Sequence, residues 1–306
     1  MSATLNIPGL QVFERGWLSA NNILLTDHHS ATLVDSGYVT HQAQTLALVQ
    51  TALKDRPLDR LVNTHLHSDH CGGNAILQTH YPQLHTAIPP GESVAVAAWN
   101  ESALTYEPTG QLCPRFGFNE VLLPGSSLHM AHLDWHVLAA PGHDPHSVIL
   151  FEPLHRVLIS ADALWSTGFG VVFPEIEGQA AFHEVAATLD LIESLNPLWV
   201  IPGHGSVFTD VAGALSVARK KLDGFVTNPE KHARYGAKVL MKYKMLEYGQ
   251  ANLSAFLDWA QEVRYLKVLH HTYASHISLQ TWLKDLLADL ARSHVIVLED
   301  ELILNV

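Results

Sequence analysis

The stretch Asn63-Thr64-His65-Leu66-His67-Ser68-Asp69-His70-Cys71-Gly72-Gly73-Asn74 decides how the rest of this 306-residue sequence is read. Four strong metal ligands, His65, His67, Asp69 and His70, stand within six positions. They follow a short apolar run, Leu58 to Asn63, and precede a helical pattern that starts near Asn74. The spacing therefore puts them in a strand-to-helix loop. Side chains two apart in an extended segment point the same way, so His65 and His67 can reach one ion together. Asp69 and His70 come after a bend and can face a second. Gly72 and Gly73 let the backbone turn tightly beside them. A solvated polar loop explains a lone His or Asp, but not four ligands at this spacing.

Three later apolar runs each end on a further candidate ligand: His136-Val-Leu-Ala-Ala-Pro-Gly-His143, Arg156-Val-Leu-Ile-Ser-Ala-Asp162 and Leu198-Trp-Val-Ile-Pro-Gly-His204. Ligands at the carboxyl ends of several strands converge at one sheet edge, where α/β proteins place their sites. Imidazole and carboxylate without thiolate suit zinc, with iron or manganese as substitutes.

The pattern around these runs is α/β. Asn22–Thr26 and Ala31–Asp35 read as neighbouring strands, and Thr40–Lys54 as a helix with Leu46, Val49 and Leu53 on one stripe. Ala180–Leu195 repeats that periodicity with Phe182, Val185, Leu189 and Ile192. Between Ala87 and Pro124, prolines and glycines interrupt short apolar pieces, which predicts one helix over Glu92–Ala103 inside a long capping loop. Tyr106, Arg115 and Phe116 in that loop are candidate substrate contacts. From Val211 to Leu290 the pattern is mostly helical, and two apolar strands around Glu299-Asp300-Glu301 follow. This predicts a catalytic domain over residues 1–211 and a small helical, winged-helix-like domain over 212–306.

Composition narrows the function. Apolar residues make up 47% and charged residues 16%, an ordinary globular balance without disorder. The N-terminus lacks a signal peptide and no apolar run is long enough to span a bilayer, so the expectation is a cytoplasmic protein with no membrane partner. Cys71 and Cys113 are too few for a disulfide scaffold. Cys71 adjoins His70, but its side chain should turn away from the ligands toward packing. The net charge of −12 argues against a nucleic-acid partner. One segment opposes it: Arg219 to Lys244 holds eight of the 18 basic residues and two acids, either a solvated face or an anion site. His28, His29, His129, His132, His136, His270 and His271 have no ligand spacing and read as surface or satisfied core positions.

Over residues 20–205 the sequence resembles the metallo-β-lactamase-fold hydrolase superfamily, whose His-x-His-x-Asp-His signature is followed by separate His, Asp and His. All seven ligand positions are filled. The resemblance implies a four-layer αββα sandwich with the site between the sheet edges. It implies two divalent metal ions, with His65, His67 and His143 on one, Asp69, His70 and His204 on the other, and Asp162 bridging. It makes Asp35 a turn-former under the site. An Asp at 162, where lactamases proper usually carry Cys, points to the glyoxalase II-like and lactonase-like branch. Gly142-His143-Asp144-Pro145-His146-Ser147 departs from the usual Gly-His-Thr-Pro-Gly-Ser, which leaves His146 as a further substrate-contact candidate.

The expected activity is hydrolysis of a thioester, lactone or other ester of a small substrate by a metal-bridging hydroxide, with Asp69 as proton carrier. The sequence is also compatible with a homodimer. Three alternatives remain: an RNA-processing nuclease using the basic C-terminal segment, a redox protein, and a non-catalytic metal binder. No flavodoxin-like domain accompanies this chain, which weighs against the redox reading.

Overall fold

The computed structural model describes residues 5–54 and 56–306. Six strands form the first sheet in sequence order: β1 (Leu10–Phe13), β2 (Asn22–Thr26), β3 (Ala31–Val34), β4 (Arg60–Val62), β5 (His85–Ile88) and β6 (Glu120–Val121). β1 to β3 are antiparallel, while β3 to β6 run parallel. Five strands form the second sheet: β7 (Ser127–Met130), β8 (Leu133–Ala139), β9 (Val148–Glu152), β10 (Val157–Ala161) and β11 (Trp199–Pro202). Here only β10 and β11 pair in parallel.

β2, β3, β9 and β10 are buried on both faces because both are covered, whereas β7 and β8 expose alternate polar residues. Alternate residues of the buried strands enter different cores. Ile23, Leu25, Val34 and Val62 of the first sheet meet Trp135, Val137, Leu150 and Ile159 of the second in one core between the sheets. Leu24, Leu33 and Leu61 face outward instead, onto α1 (Gln42–Leu53) and the helix after the ligand loop. Three short helices line the ligand-bearing side: α2 (Ser68–Cys71), α3 (Asn74–His80) and α4 (Ser93–Ala98). They are followed by α5 (Tyr106–Thr109) and α6 (Phe173–Ile176). Ile149, Leu158 and Val200 pack outward on α7 (Phe182–Leu195) and α8 (Val211–Thr227). The layers are therefore helix, sheet, sheet, helix, as the sequence predicts.

The predicted helix over Glu92–Ala103 is shorter than expected. It stops at Ala98 because Trp99 adopts a left-handed conformation, φ 54°, which breaks the i→i−4 ladder.

The C-terminal part holds α9 (Pro229–Tyr248), α10 (Leu253–Glu262), α11 (Arg264–Tyr273) and α12 (Leu279–Arg292). A three-stranded sheet of β12 (Gln250–Asn252), β13 (Ile296–Glu299) and β14 (Leu302–Asn305), with β14 in the middle, completes it. Leu283, Leu286 and Leu290 place one stripe of α12 against Leu240, Met241 and Met245 of α9. Val171 and Ile176, from the sandwich, sit in the same core. The α8 helix, by contrast, shares its core with α7 and the second sheet. Among the described residues no helix is long and apolar enough to cross a membrane.

A buried ion pair ties the two parts. Glu247 Oε2 accepts hydrogen bonds from Lys244 Nζ at 2.8 Å and from Tyr38 Oη at 2.8 Å. The Lys244 and Glu247 side chains are only 5% and 7% exposed. Removing one partner strands the other charge in a dry environment. Glu247→Ala should therefore lower unfolding free energy by about 3–5 kcal/mol. The double variant Lys244→Met/Glu247→Leu should recover most of that loss, as read by urea denaturation.

Candidate metal centre

The ligand-bearing loops leave the carboxyl ends of β4, β8, β10 and β11, so the two sheets deliver them to one shared edge. His65, His67 and His143 offer one cluster of ligand atoms, and Asp69, His70, Asp162 and His204 a second; within each cluster the atoms lie within 4.8 Å of one another. Six of the seven residues are buried at 0–8% exposure, and the Asp69 side chain at 13%.

Asp162 links the clusters. Its Oδ2 lies 3.4 Å from His143 Nε2, while its Oδ1 lies 3.4 Å from His70 Nε2 and 3.8 Å from His204 Nε2. The backbone is shaped to aim it. A register shift interrupts the β10–β11 pairing between Ile159 and Ala161, and Ala161 takes a left-handed φ of 46°. Such bulges re-aim the next side chain.

The imidazoles are oriented from behind. Asp35, itself left-handed at φ 57°, accepts from Thr64 N and Thr64 Oγ1 and from His70 Nδ1 at 2.7 Å. That fixes His70 Nε2 toward the centre. His143 Nδ1 donates to Val171 O at 2.6 Å, which turns its Nε2 into the centre, 2.8 Å from His67 Nδ1. A carboxylate or carbonyl behind a ligating histidine sets its tautomer and raises its basicity.

The site fits two cations by its own chemistry. His65 Nε2 and His70 Nε2 are buried without a hydrogen-bond partner among the described residues. Such orphans are costly unless something binds them. Two glycines make the cradle. A Cβ at Gly170 would lie 2.2 Å from His143 Nδ1, and one at Gly203 would lie 2.2 Å from Asp162 Oδ1.

Electrostatics agree with that fit. Burial pushes His67 and His143 down to about 4, and His65 well below its ordinary value. These three stay neutral, as ligands must be. Burial alone would lower His70 as well, but Asp35, Asp162 and Asp69 outweigh it and hold His70 well above the ordinary imidazole range. Burial would raise Asp162, yet His204, His70 and His143 keep it well below the usual carboxylate range. Without metal, one proton is trapped among carboxylates where an ion would sit.

The other predicted residues are distributed unevenly. His146 lines a hollow beside His67 and stands against Gly91, where a Cβ would lie 2.3 Å from its Nδ1. Tyr106 does not face the centre: it is 1% exposed and its Oη donates to Leu66 O at 3.0 Å. Its aromatic bulk fills a core with Leu66, Leu104 and Phe116. Phe116 is 4% exposed in that same core. Arg115 also lies away from the metal pocket, in an exposed hollow with Gln78 and Phe118. The expectation of Tyr106 and Arg115 as substrate contacts is corrected accordingly. Cys71 Sγ points to Leu66 O and His67 O at 3.4 and 3.3 Å and lies 3.8 Å from Cys113 Sγ, away from the ligand atoms.

Several residues carry the site without a signal in the spacing. Trp17 stacks on His204 with ring centroids 5.3 Å apart, and Trp165 meets the same ring edge-on. Asn21 Nδ2 donates to Pro202 O and Gly205 O and clamps the loop that carries His204. Phe173 covers His67 with centroids 4.6 Å apart.

Two tests follow from this geometry. Gly203→Ala should displace Asp162 and weaken zinc binding on the order of tenfold or more, measured by competition with a chromogenic chelator. The metal-free protein should be most stable near pH 6.5, the ordinary imidazole value. Below it, the unfolded chain protonates His67 and His143 while the folded chain does not until about 4, so stability falls across that window. Above it, folded His70 keeps a proton that the unfolded chain releases, so stability falls again as pH rises. The acid limb should be worth on the order of several kcal/mol. Saturating zinc should abolish the alkaline limb. A flat thermal-unfolding profile in metal-free protein would contradict this account.

Comparison with known proteins agrees with the geometry. Residues 15–204 match the family described as the Metallo-beta-lactamase superfamily. A hydroxyacylglutathione hydrolase of Haemophilus ducreyi is 31% identical over 161 residues, covering 52% of this chain and 57% of that protein. The chain spans between about a third and three fifths of the length of the first curated relatives that it matches. The solved structure of TTHA1623 in a di-iron-bound form is 26% identical, with a TM-score of 0.52 over 68% of this chain and 98% of that one. A metallo-beta-lactamase family protein of Thermus thermophilus, TTHA1429, shares the fold over 98% of this chain and 99% of its own, at 15% identity and a TM-score of 0.58. With the signature loop, the three strand-end ligands and the four layers all in place, the chain belongs to the metallo-beta-lactamase superfamily.

Proposed function

We propose that this protein is a dinuclear metal hydrolase that cleaves a thioester, lactone or other ester of a small substrate, with zinc as the metal. The observation that carries the reading is Asp162, whose two carboxylate oxygens face the two ligand clusters separately. An aspartate there, with no thiolate, supports the esterase and thioesterase side of the superfamily over the lactamases. The curated relatives named hydroxyacylglutathione hydrolase support the same side.

His65, His67 and His143 would hold one ion, and Asp69, His70 and His204 the other, with Asp162 between them. When bound, two divalent ions polarise a carbonyl and acidify water. The protein's own groups do the rest. Trp17, Trp165, Val171 and Phe173 wall the pocket and limit bulk water. Asp69 reaches His204 Nε2 with Oδ2 at 3.1 Å and is the ligand side chain with most exposure, so it can carry a proton to the leaving group. Asp144, with Oδ2 3.8 Å from His67 Nε2, steadies that ring from behind.

The nuclease reading loses support. Arg219 is paired with Asp190 and Glu193, Arg234 with Asp289, and Lys244 with Glu247. Lys242 Nζ is spent on Val295 O and Asn305 Oδ1. Cations already paired within the fold offer little to a phosphate backbone, which leaves Lys220, Lys231 and Lys238 of the eight without a side-chain partner among the described residues.

Elemental analysis should find two metals per chain. A panel of thioesters, lactones and a chromogenic β-lactam should show turnover of the first two classes. Asp162→Ala should abolish turnover, and His67→Ala should reduce it by at least about a hundredfold. One metal per chain with full activity would overturn the dinuclear reading. Metal-dependent cleavage of single-stranded RNA, lost in Asp162→Ala, would favour the nuclease.

A further inference from the structure

The metal pocket opens in two directions with opposite chemistry. Past His67 and Phe173 it leads to a hollow lined by Glu92, Asp144 and Glu177. Beside Trp17 and Tyr243 it adjoins a cavity of about 350 Å³ that runs along α9. That size falls in the range of about 300–1,000 Å³ typical of ligand pockets.

One stripe of α9 lines this cavity: Tyr235, Val239, Tyr243 and Leu246, spaced so that they share a face. Trp17, Tyr235, Val239 and Tyr243 also line the metal pocket, so the two spaces adjoin across these side chains. Leu290 and Val295 close the far wall, with Ser293 between them. Two cations border the cavity, and they are not equivalent. Lys242 is held by carbonyls and Asn305. Lys238 makes no close ion pair or hydrogen bond among the described residues, although the Asp289 carboxylate, itself bound by Arg234 and Arg292, is near enough to feel its charge; Lys238 also borders a neighbouring hollow with Lys221, Lys231 and Arg234.

We propose that this cavity binds the distal part of the substrate, an unbranched or aromatic apolar chain that ends in an anionic group seated on Lys238. The proposal rests on the ester and thioester reading of the metal centre, and it names the substrate class. A peptide-like tail is disfavoured because its amides would lose water against an apolar wall without gaining partners. The opposite exit does not suit an anion, because carboxyl groups line it. An apolar chain with a terminal charge satisfies both halves of the cavity: hydrocarbon contact along α9 and a charge-assisted contact at its rim.

The test separates binding from hydrolysis. Octanamide, suberic monoamide and an octanamide bearing a terminal phosphate are titrated calorimetrically into the metal-loaded protein, beside a glutathione thioether. The anionic chains should bind at least about tenfold more tightly than octanamide, the scale of one charge-assisted contact. Carboxylate against phosphate then identifies the terminus. Lys238→Glu should erase the preference for the anionic chains, and Lys238→Met should reduce it. Ser293→Trp should fill the cavity and weaken every long chain by at least about tenfold. Equal binding of neutral and anionic chains, indifference to both substitutions, or tighter binding of the glutathione probe would overturn the proposal. Turnover of short and long esters is measured in parallel. Selective binding without any turnover would leave the proposal standing and defeat the hydrolase reading. Metal-dependent turnover without chain or charge selectivity would do the reverse.

Discussion

Five imidazoles and two carboxylates are buried at the edge where two sheets meet, and they satisfy one another only in part. His65 and His70 each keep an unpaired ring nitrogen, and His70 holds a proton among Asp35, Asp69 and Asp162. Neighbouring features serve to keep this unfavourable arrangement in place. The left-handed turns at Asp35 and Ala161, the bulge in β10 and the bare glycines at 170 and 203 are all strained or permissive positions around the same point. Strain of this kind persists only where the surrounding structure fixes it. Here the sandwich core does so, with Val62 and Ile159, from the strands leading into two ligand loops, at 0% and 1% exposure.

The division of labour between the two carboxylates follows from their surroundings. Asp162 is enclosed by histidines and a tryptophan indole, so it is fixed and ionised. Asp69 faces the pocket and touches only His204 closely. One aspartate holds the geometry, and the other stays open to the pocket. The same logic separates Lys242 from Lys238: a cation already bound to backbone carbonyls is a structural strut, and one without partners is a recognition group.

Much of this was legible in the sequence. His65, His67, Asp69 and His70 lie in one loop, and His143, Asp162 and His204 each follow an apolar run, so strand direction alone predicted their convergence. The alternation of strands and helices gave an α/β sandwich, and the family resemblance implied its four layers. What spacing could not supply was contact across elements. Trp17 lies before β2, with no periodic partner, yet it stacks on His204. Tyr106 looked available because it sat in an irregular, proline-rich region, but an irregular backbone does not make a side chain exposed; this one fills the core beneath the ligand loop. The groove along α9 was invisible for a related reason. Its stripe of Tyr235, Val239 and Tyr243 reads as ordinary helix packing until the sandwich is placed beside it.

The segment from Asp162 to Ile176 connects all of these parts. It begins with the bridging ligand, and the Val171 carbonyl anchors His143. The Val172 amide donates to His232 on α9 at 3.2 Å, and the Val171 and Ile176 side chains lie in the core of the helical part. Ion loading and cap packing therefore share about fifteen residues of backbone, with no intervening hinge. Loss of the ions would then be felt as loosening of the wall that the metal pocket shares with the helical part.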